Sequence, residues 1–254
     1  MKTAMICAGL LALACAWPAR AADVREQSYS IGADVDAQGK VTALQFDDES
    51  APVRKLLTAA VQQWQFVPAK RDGQPVPAHT FIRARIRAIP DAQGEYGLRV
   101  SFVGNGPRLE RTAAPKYPKD AVRRRQSAFM WLDATVLPDG NLADLKVSRR
   151  FDDWPVASSI EQSVLAAARR WRASAEQVDS RPVATHLRVP VTFTLGPDYF
   201  TEEQLKILRA AARDEVAKST VEDVRPGVPL PSDEEVALDS PLQPQSVATI
   251  VSGS

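Results

Sequence analysis

The chain has 254 residues, 44% hydrophobic and 25% charged, the proportions of a soluble globular protein of one large or two small domains. A formal net charge of +1 gives no overall attraction to nucleic acid or to an anionic membrane surface. The only cysteines, Cys7 and Cys15, fall in a segment that reads as a leader, which excludes a disulfide or thiolate metal site from the rest of the chain.

That leader occupies residues 1–21. Lys2 precedes an almost wholly apolar stretch from Ala4 to Trp17, followed by Pro18-Ala19-Arg20-Ala21. Small residues at 19 and 21 fit the small-x-small pattern of signal-peptide cleavage, which predicts a cut between Ala21 and Ala22. The apolar run is shorter than the roughly 20 residues of a membrane-spanning helix. Ala12-Leu13-Ala14-Cys15 loosely resembles a lipobox, so a lipoprotein anchored at Cys15 is the alternative.

From Ser28 to Val35 apolar residues alternate, Asp36-Ala37-Gln38-Gly39 makes a turn, and Val41–Phe46 returns, the pattern of a β-hairpin. Val53, Leu56, Leu57, Ala60, Val61 and Trp64 then recur in steps of three and four, which places them on one helical face. Pro68 ends that helix. Thr80–Ala88 reads as a strand with Phe81, Arg83, Arg85 and Arg87 on one face. Residues 22–88 thus read as a ββαβ unit.

Residues 89–113 form a linker with an extra strand predicted at Leu98–Val103, and residues 114–125 open the second half with a short helix led by Pro118. The second half repeats the first over 114–197. Phe129–Leu137 and Leu142–Val147 flank the turn at Gly140, and Ile160, Val164, Leu165, Ala168 and Trp171 mark a helix. Leu187, Val189, Val191, Phe193 and Leu195 share the core face of a last strand. Trp64 and Trp171 each precede a Pro-Val pair, Pro75-Val76 and Pro182-Val183, by the same distance. His79 and His186 also fall at matching offsets from their Trp. Such matched spacing predicts an internal duplication. Both Trp residues are expected to be structural, closing the open end of a thin two-layer core.

Thr201-Glu202-Glu203-Gln204 is a capping box that starts a helix over 198–219, with Leu205, Leu208 and Ala212 as its apolar stripe. Residues 220–254 are rich in proline and acidic side chains and are expected to be a disordered tail.

The second half resembles the TonB C-terminal domain family. The resemblance rests on Pro115-x-Tyr117-Pro118 with its helix, Leu137-Pro138-Asp139-Gly140-Asn141-Leu142, Ala167–Arg172 around Trp171, and Arg181-Pro182-Val183 with Val189–Phe193. The first half keeps the element after the Trp, as Phe66-Val67-Pro68, which the second replaces with Ala173-Ser174-Ala175. The resemblance implies an α+β fold of two small domains, each a twisted antiparallel sheet with a packed helix. It makes Tyr117, Pro118 and Gly140, with Trp64 and Trp171, structural residues. It also implies a place in the periplasm of Gram-negative bacteria and a protein partner in the periplasm or outer membrane.

Members of the family that transduce energy for outer-membrane transport pair with a transporter segment by adding a strand at a sheet edge. Pro190 lacks an N–H and favours an edge position, which makes Leu187–Leu195 the candidate surface here. The main expectation is a periplasmic interaction module without enzymatic activity, cofactor, metal, small-molecule substrate or nucleic acid. A homodimer is open, and a transducer with the leader retained as anchor is the alternative. Two basic features could carry contacts: the Arg83, Arg85 and Arg87 face, and the 108–125 segment that ends in Arg123, Arg124 and Arg125. The acidic tail is a candidate to fold back on that segment, against the plainer reading of both features as solvated surface.

Overall fold

The computed structural model describes residues 26–90, 96–218, 234–248 and 250–252. The predicted signal peptide, its cleavage site and Cys15 lie outside them. The first half runs β1 (Glu26–Val35), β2 (Val41–Gln45), α1 (Ala51–Val61), β3 (Gln65–Val67), β4 (Lys70–Arg71), β5 (Gln74–Pro75) and β6 (Ala78–Pro90). Two connecting strands follow, β7 (Tyr96–Gly106) and β8 (Arg108–Glu110). The second half runs α2 (Lys119–Arg123), β9 (Ala128–Val136), β10 (Leu142–Arg149), α3 (Ser158–Ala168), β11 (Arg172–Ser174), β12 (Gln177–Val178), β13 (Arg181–Pro182) and β14 (Thr185–Phe193). A single 3-10 turn at Pro197–Tyr199 leads to α4 (Glu202–Lys218), and β15 (Val236–Ala237), β16 (Gln243–Ser246) and β17 (Ile250–Ser252) complete the chain.

The fold is α+β with mostly antiparallel strands. Sheet one carries β2, β1 and β6 side by side, with β7 beyond β6. Sheet two has the order β10-β9-β14-β15. Apolar alternation on the strands decides which face is covered. Ile31, Ala33 and Val35 of β1 with Ile82, Ala84 and Ile86 of β6 pack on Leu57, Ala60 and Val61 of α1 and on Trp64, which follows it. Met130, Leu132 and Val136 of β9 with Leu187, Val189 and Val191 of β14 pack on Ile160, Val164, Ala168 and Trp171. The opposite face of sheet two buries Phe129 against Trp154 and Leu208, so α4 docks there through Leu208 of the predicted stripe together with Ile207. Its capping box forms as expected: Gln204 N–H donates to Thr201 Oγ1 at 3.2 Å, and Thr201 N–H to Gln204 Oε1 at 2.9 Å.

Both halves turn at a glycine for the same reason. Gly39 has φ +81° and Gly140 φ +80°, and a Cβ would sit 1.8 Å from the Phe66 carbonyl oxygen or 2.4 Å from that of Ala173. Only glycine permits that backbone approach without displacement. In each case the glycine carbonyl accepts the N–H of the strand that follows the Trp, Phe66 at 2.8 Å and Ala173 at 2.9 Å.

Three parts of the organisation differ from the sequence-based expectation. The extra strand expected at Leu98–Val103 forms within β7, but the segment 89–113 is more than a linker: β7 is a full strand of sheet one, and β8 pairs with β11. The two main sheets stay distinct but the halves are not independent, because β12 of the second half pairs with the start of β6, Gln177 opposite His79. An Arg71–Asp179 ion pair and Arg71 donating to the Val178 carbonyl reinforce that seam. Finally, the proposed disordered tail contains short paired strands: β15 pairs with β14, β16 with β3, and β17 with β7. Residues 220–233 of it lie outside the described residues. Proline and charge keep that segment from forming a core of its own. They do not keep it from pairing with edges another core supplies.

Candidate functional site

The site is built where the last strand of sheet two meets residues 234–242. His186 receives the segment through its backbone: its carbonyl accepts the Leu238 N–H at 2.8 Å, and its N–H donates to Asp239 Oδ1 at 2.6 Å. Both groups point away from β9. By the alternation of an antiparallel strand, Arg188, Pro190 and Thr192 share that outward direction, while Leu187, Val189, Val191 and Phe193 turn toward β9. Pro190 therefore sits where its missing N–H removes a donor from the outer edge. β15 takes the stretch opposite Leu187 and Arg188.

The proposed contact residues of β14 thus act differently from expectation. The side chains of Leu187, Val189, Val191 and Phe193 are buried in the core and cannot touch a partner. Leu195 lies past the strand end and is half-buried. What β14 offers is its backbone edge, and that edge already carries a strand.

Asp239 also meets the imidazole, with His186 Nδ1 2.5 Å from its Oδ2. The hydrogen bond to Asp239, then its charge, raises the His186 pKa above the ordinary value, and Asp144 adds in the same direction. A histidine whose pKa is raised on folding contributes stability fully present below its unfolded value of about 6.5 and lost as pH rises through the raised value. The Asp239 clamp is therefore expected to loosen above that value. In NMR titration, Asp239→Asn should lower the His186 midpoint, and an unchanged midpoint would remove the pairing. His79 makes the matching contact in the first half, Nδ1 to Asp34 Oδ1 at 2.7 Å. Both histidines thus serve as hydrogen-bonding residues.

The arginines of β6 stand on the face of sheet one away from its helix, as alternation predicts. They are not a freely solvated surface. Arg85 pairs with Glu234, which also accepts from Ser28 Oγ, and Arg87 pairs with Glu26 at 2.7 Å. Arg108 stacks over Phe81 on the same face and reaches Asp47 at 2.9 Å. Arg111 pairs with Glu235 at 2.6 Å. The acidic tail does fold back on the basic segment, at Arg111 and at the neighbouring β6 face.

Arg83 is the exception. Its guanidinium lies along Gly104 and no ion pair reaches it among the described residues, while its Nε, like that of Arg85, is buried without a hydrogen-bond partner. Burial pushes its pKa below the ordinary arginine value, with Glu235, Glu234 and Glu176 opposing at longer range. It lines an open cleft of about 210 Å³ together with Ser30, Arg108, Arg111, Glu234 and Glu235. Arg123, Arg124 and Arg125 are not part of this cluster. They are exposed at the end of α2, where Arg124 approaches Asp120 and Arg125 lies over Tyr199.

Glu176 joins the two halves to the tail, and no sequence signal marked it. It is fully buried, and its carboxylate accepts from Thr80 Oγ1 at 2.6 Å, Ser240 Oγ at 2.7 Å and Thr185 Oγ1 at 3.0 Å. Asn105 Nδ2 donates to Ser240 Oγ at 2.8 Å and to the Leu242 carbonyl at 3.0 Å, and Leu242 is buried. The expected structural residues fall into place around this framework. Tyr117 stacks edge-on against Phe193 at 5.0 Å and donates to the Gln126 carbonyl, and Pro118 precedes the first turn of α2. Trp64 Nε1 donates to the Ala248 carbonyl at 3.0 Å, and Trp171 Nε1 to that of Ala113 at 2.6 Å.

Among the described residues no group of three His, Cys, Asp or Glu side chains converges to hold a metal ion, and no helix is long and apolar enough to cross a membrane. Comparison with curated proteins finds no significant match. Residues 113–195 match the family model described as Gram-negative bacterial TonB protein C-terminal. That span holds α2, β9, β10, α3 and β14, the sheet and helices whose outer strand receives the tail. Residues 113–195 are therefore the part of the chain that is similar to the TonB C-terminal domain family.

Proposed function

We propose that the chain is a non-enzymatic protein-interaction module of the Gram-negative periplasm that binds its partner by strand addition at the outer edge of β14. One observation carries this reading: that edge accepts an antiparallel strand, since β15 pairs with Leu187 and Arg188. Backbone donors and acceptors at such an edge give affinity without a preformed pocket. The family of residues 113–195 supports the compartment and the protein partner. In the same reading the first half is a second copy of the ββαβ unit. Support comes from the shared element order, from Gly39 and Gly140 at equivalent turns, and from Trp64 and Trp171 at equivalent helix ends.

A photo-reactive residue tests the edge. Placed at Thr192, beyond the stretch that β15 covers, it is expected to give a discrete adduct with an envelope protein. At Lys146, on the opposite edge strand β10, it should give none. Adducts from both positions, or from Lys146 alone, would point away from β14, and no adduct at Thr192 would remove an envelope partner at that edge.

A further inference from the structure

Residues 234–242 do more than fill space. They cross two surfaces at once, and at each they supply the chemistry that surface calls for. At the sheet edge they add a short antiparallel strand and then clamp it with Asp239 on the His186 N–H and ring. At the cleft they place Glu235 on Arg111 and Glu234 on Arg85. The segment passes so close to β7 that a Cβ on Gly106 would lie 2.5 Å from the Ala237 Cβ. A side chain at 106 would push it away.

The fit is incomplete in two places. The added strand spans only Val236–Ala237. Arg83 lines the cleft without an ion pair among the described residues, although two carboxylates of the segment line the same cleft. A buried guanidinium without a hydrogen-bonded anion is costly, and a carboxylate that reached it would relieve that cost.

We infer that residues 234–239 are an internal stand-in for the partner: they occupy the β14 edge and the arginine cleft, and the partner is an acidic extended segment that displaces them. This rests on the reading of β14 as the binding edge. The partner strand would run antiparallel to β14 over His186–Arg188, with acidic residues where Glu234 and Glu235 now lie and a carboxylate on Arg83. Reaching Arg83 is what lets it outcompete a segment that has the advantage of being tethered. Ser240 and Leu242 are buried beyond the exchanged stretch, so the strand can leave while the rest of the tail stays seated.

The test needs no natural partner. The probe is a dye-labelled synthetic peptide of residues 232–239, followed by fluorescence anisotropy with the full chain. Val236→Pro and Asp239→Ala together open the edge: the first removes an N–H from the strand, and the second removes both contacts to His186. Val236 and Asp239 are exposed, so the core is untouched. The opened chain should bind the peptide at least tenfold more tightly than the unaltered chain. A peptide with Glu234→Lys and Glu235→Lys should lose at least tenfold on the opened chain, and so should the original peptide on an opened chain carrying Arg83→Gln.

Equal binding to the open and unaltered chains, or no binding to either, overturns the stand-in. Indifference to the charge-reversed peptide or to Arg83→Gln overturns the arginine cleft as the acid site. Should the double variant lose its thermal transition, Asp239→Ala alone is measured by the same criteria. Failure here leaves the Thr192 adduct as an independent measure of the edge, and a missing adduct with successful peptide binding would remove the envelope partner while keeping the stand-in.

Discussion

Replacing Trp171 with alanine is expected to lower stability by about 3–5 kcal/mol, the range for a large aromatic truncated in a core. Trp171 is 2% exposed and packs with Ile160, Val164, Ala168 and Leu187. It sits at the end of α3, where its N–H closes on the Ala168 carbonyl at 3.0 Å and its ring turns under the sheet. Its indole N–H holds the Ala113 carbonyl, which ties the lead-in to α2 onto the same corner. Trp171→Phe keeps most of the apolar surface and loses that hydrogen bond, so a loss nearer about 1–2 kcal/mol is expected. Denaturant unfolding of the three proteins measures both differences. A Trp171→Ala midpoint close to that of the unaltered chain would take this ring out of the core.

The second large effect belongs to Glu176. Three hydroxyls donate to its buried carboxylate from β6, β14 and the tail. Glu176→Ala leaves those donors in a site without water access, and an unsatisfied buried polar group costs about 1–3 kcal/mol. The hydroxyls can partly pair with one another, so a net loss of about 2–4 kcal/mol is expected. Glu176→Gln keeps one acceptor and the shape, and should cost less.

Burial raises the Glu176 pKa above its ordinary value of 4.5, with the three hydroxyls and Arg83 working against the shift. The folded state therefore holds this proton more tightly than the unfolded state does. The contribution of Glu176 to stability rises as pH falls through the raised value toward 4.5, and declines as pH rises. Unfolding midpoints across that window should slope accordingly in the unaltered chain and flatten in Glu176→Gln. A slope that survives the substitution assigns it to other groups.

The local elements were legible because each is set by neighbours in sequence. Alternation at Ser28–Val35 and steps of three and four from Val53 to Trp64 predicted β1 and α1 directly. The turn at Gly140, the capping box at Thr201 and the helix led by Pro118 rest on short-range backbone chemistry, and all three formed. Arg83, Arg85 and Arg87 were placed on one face correctly, since a strand has a period of two.

The site was less legible. Nothing near Glu176 in sequence announces that Thr80, Thr185 and Ser240 converge on it. The Leu187–Phe193 stripe was read as a contact surface, yet the pattern that defines a core face also hides those side chains. Proline and acid content in residues 220–254 argued for disorder because such a segment cannot bury enough apolar surface by itself. Leu242, however, enters a core built by the first half, and Val236–Ala237 pair with an edge left by the second.

The sequence alone determined the strands and helices of both halves, their glycine turns, their Trp corners and the likeness of residues 113–195 to a known domain family. Those features depend on periodicity and on φ preferences within a few residues. Only the tertiary structure decided that β12 joins sheet one, that the tail lies on β14, and that Arg83 lines a cleft without an ion pair of its own among the described residues. Each of these is a pairing between segments far apart in the chain. Many partners satisfy the same edge or charge locally, and the packed core selects which one is brought within reach.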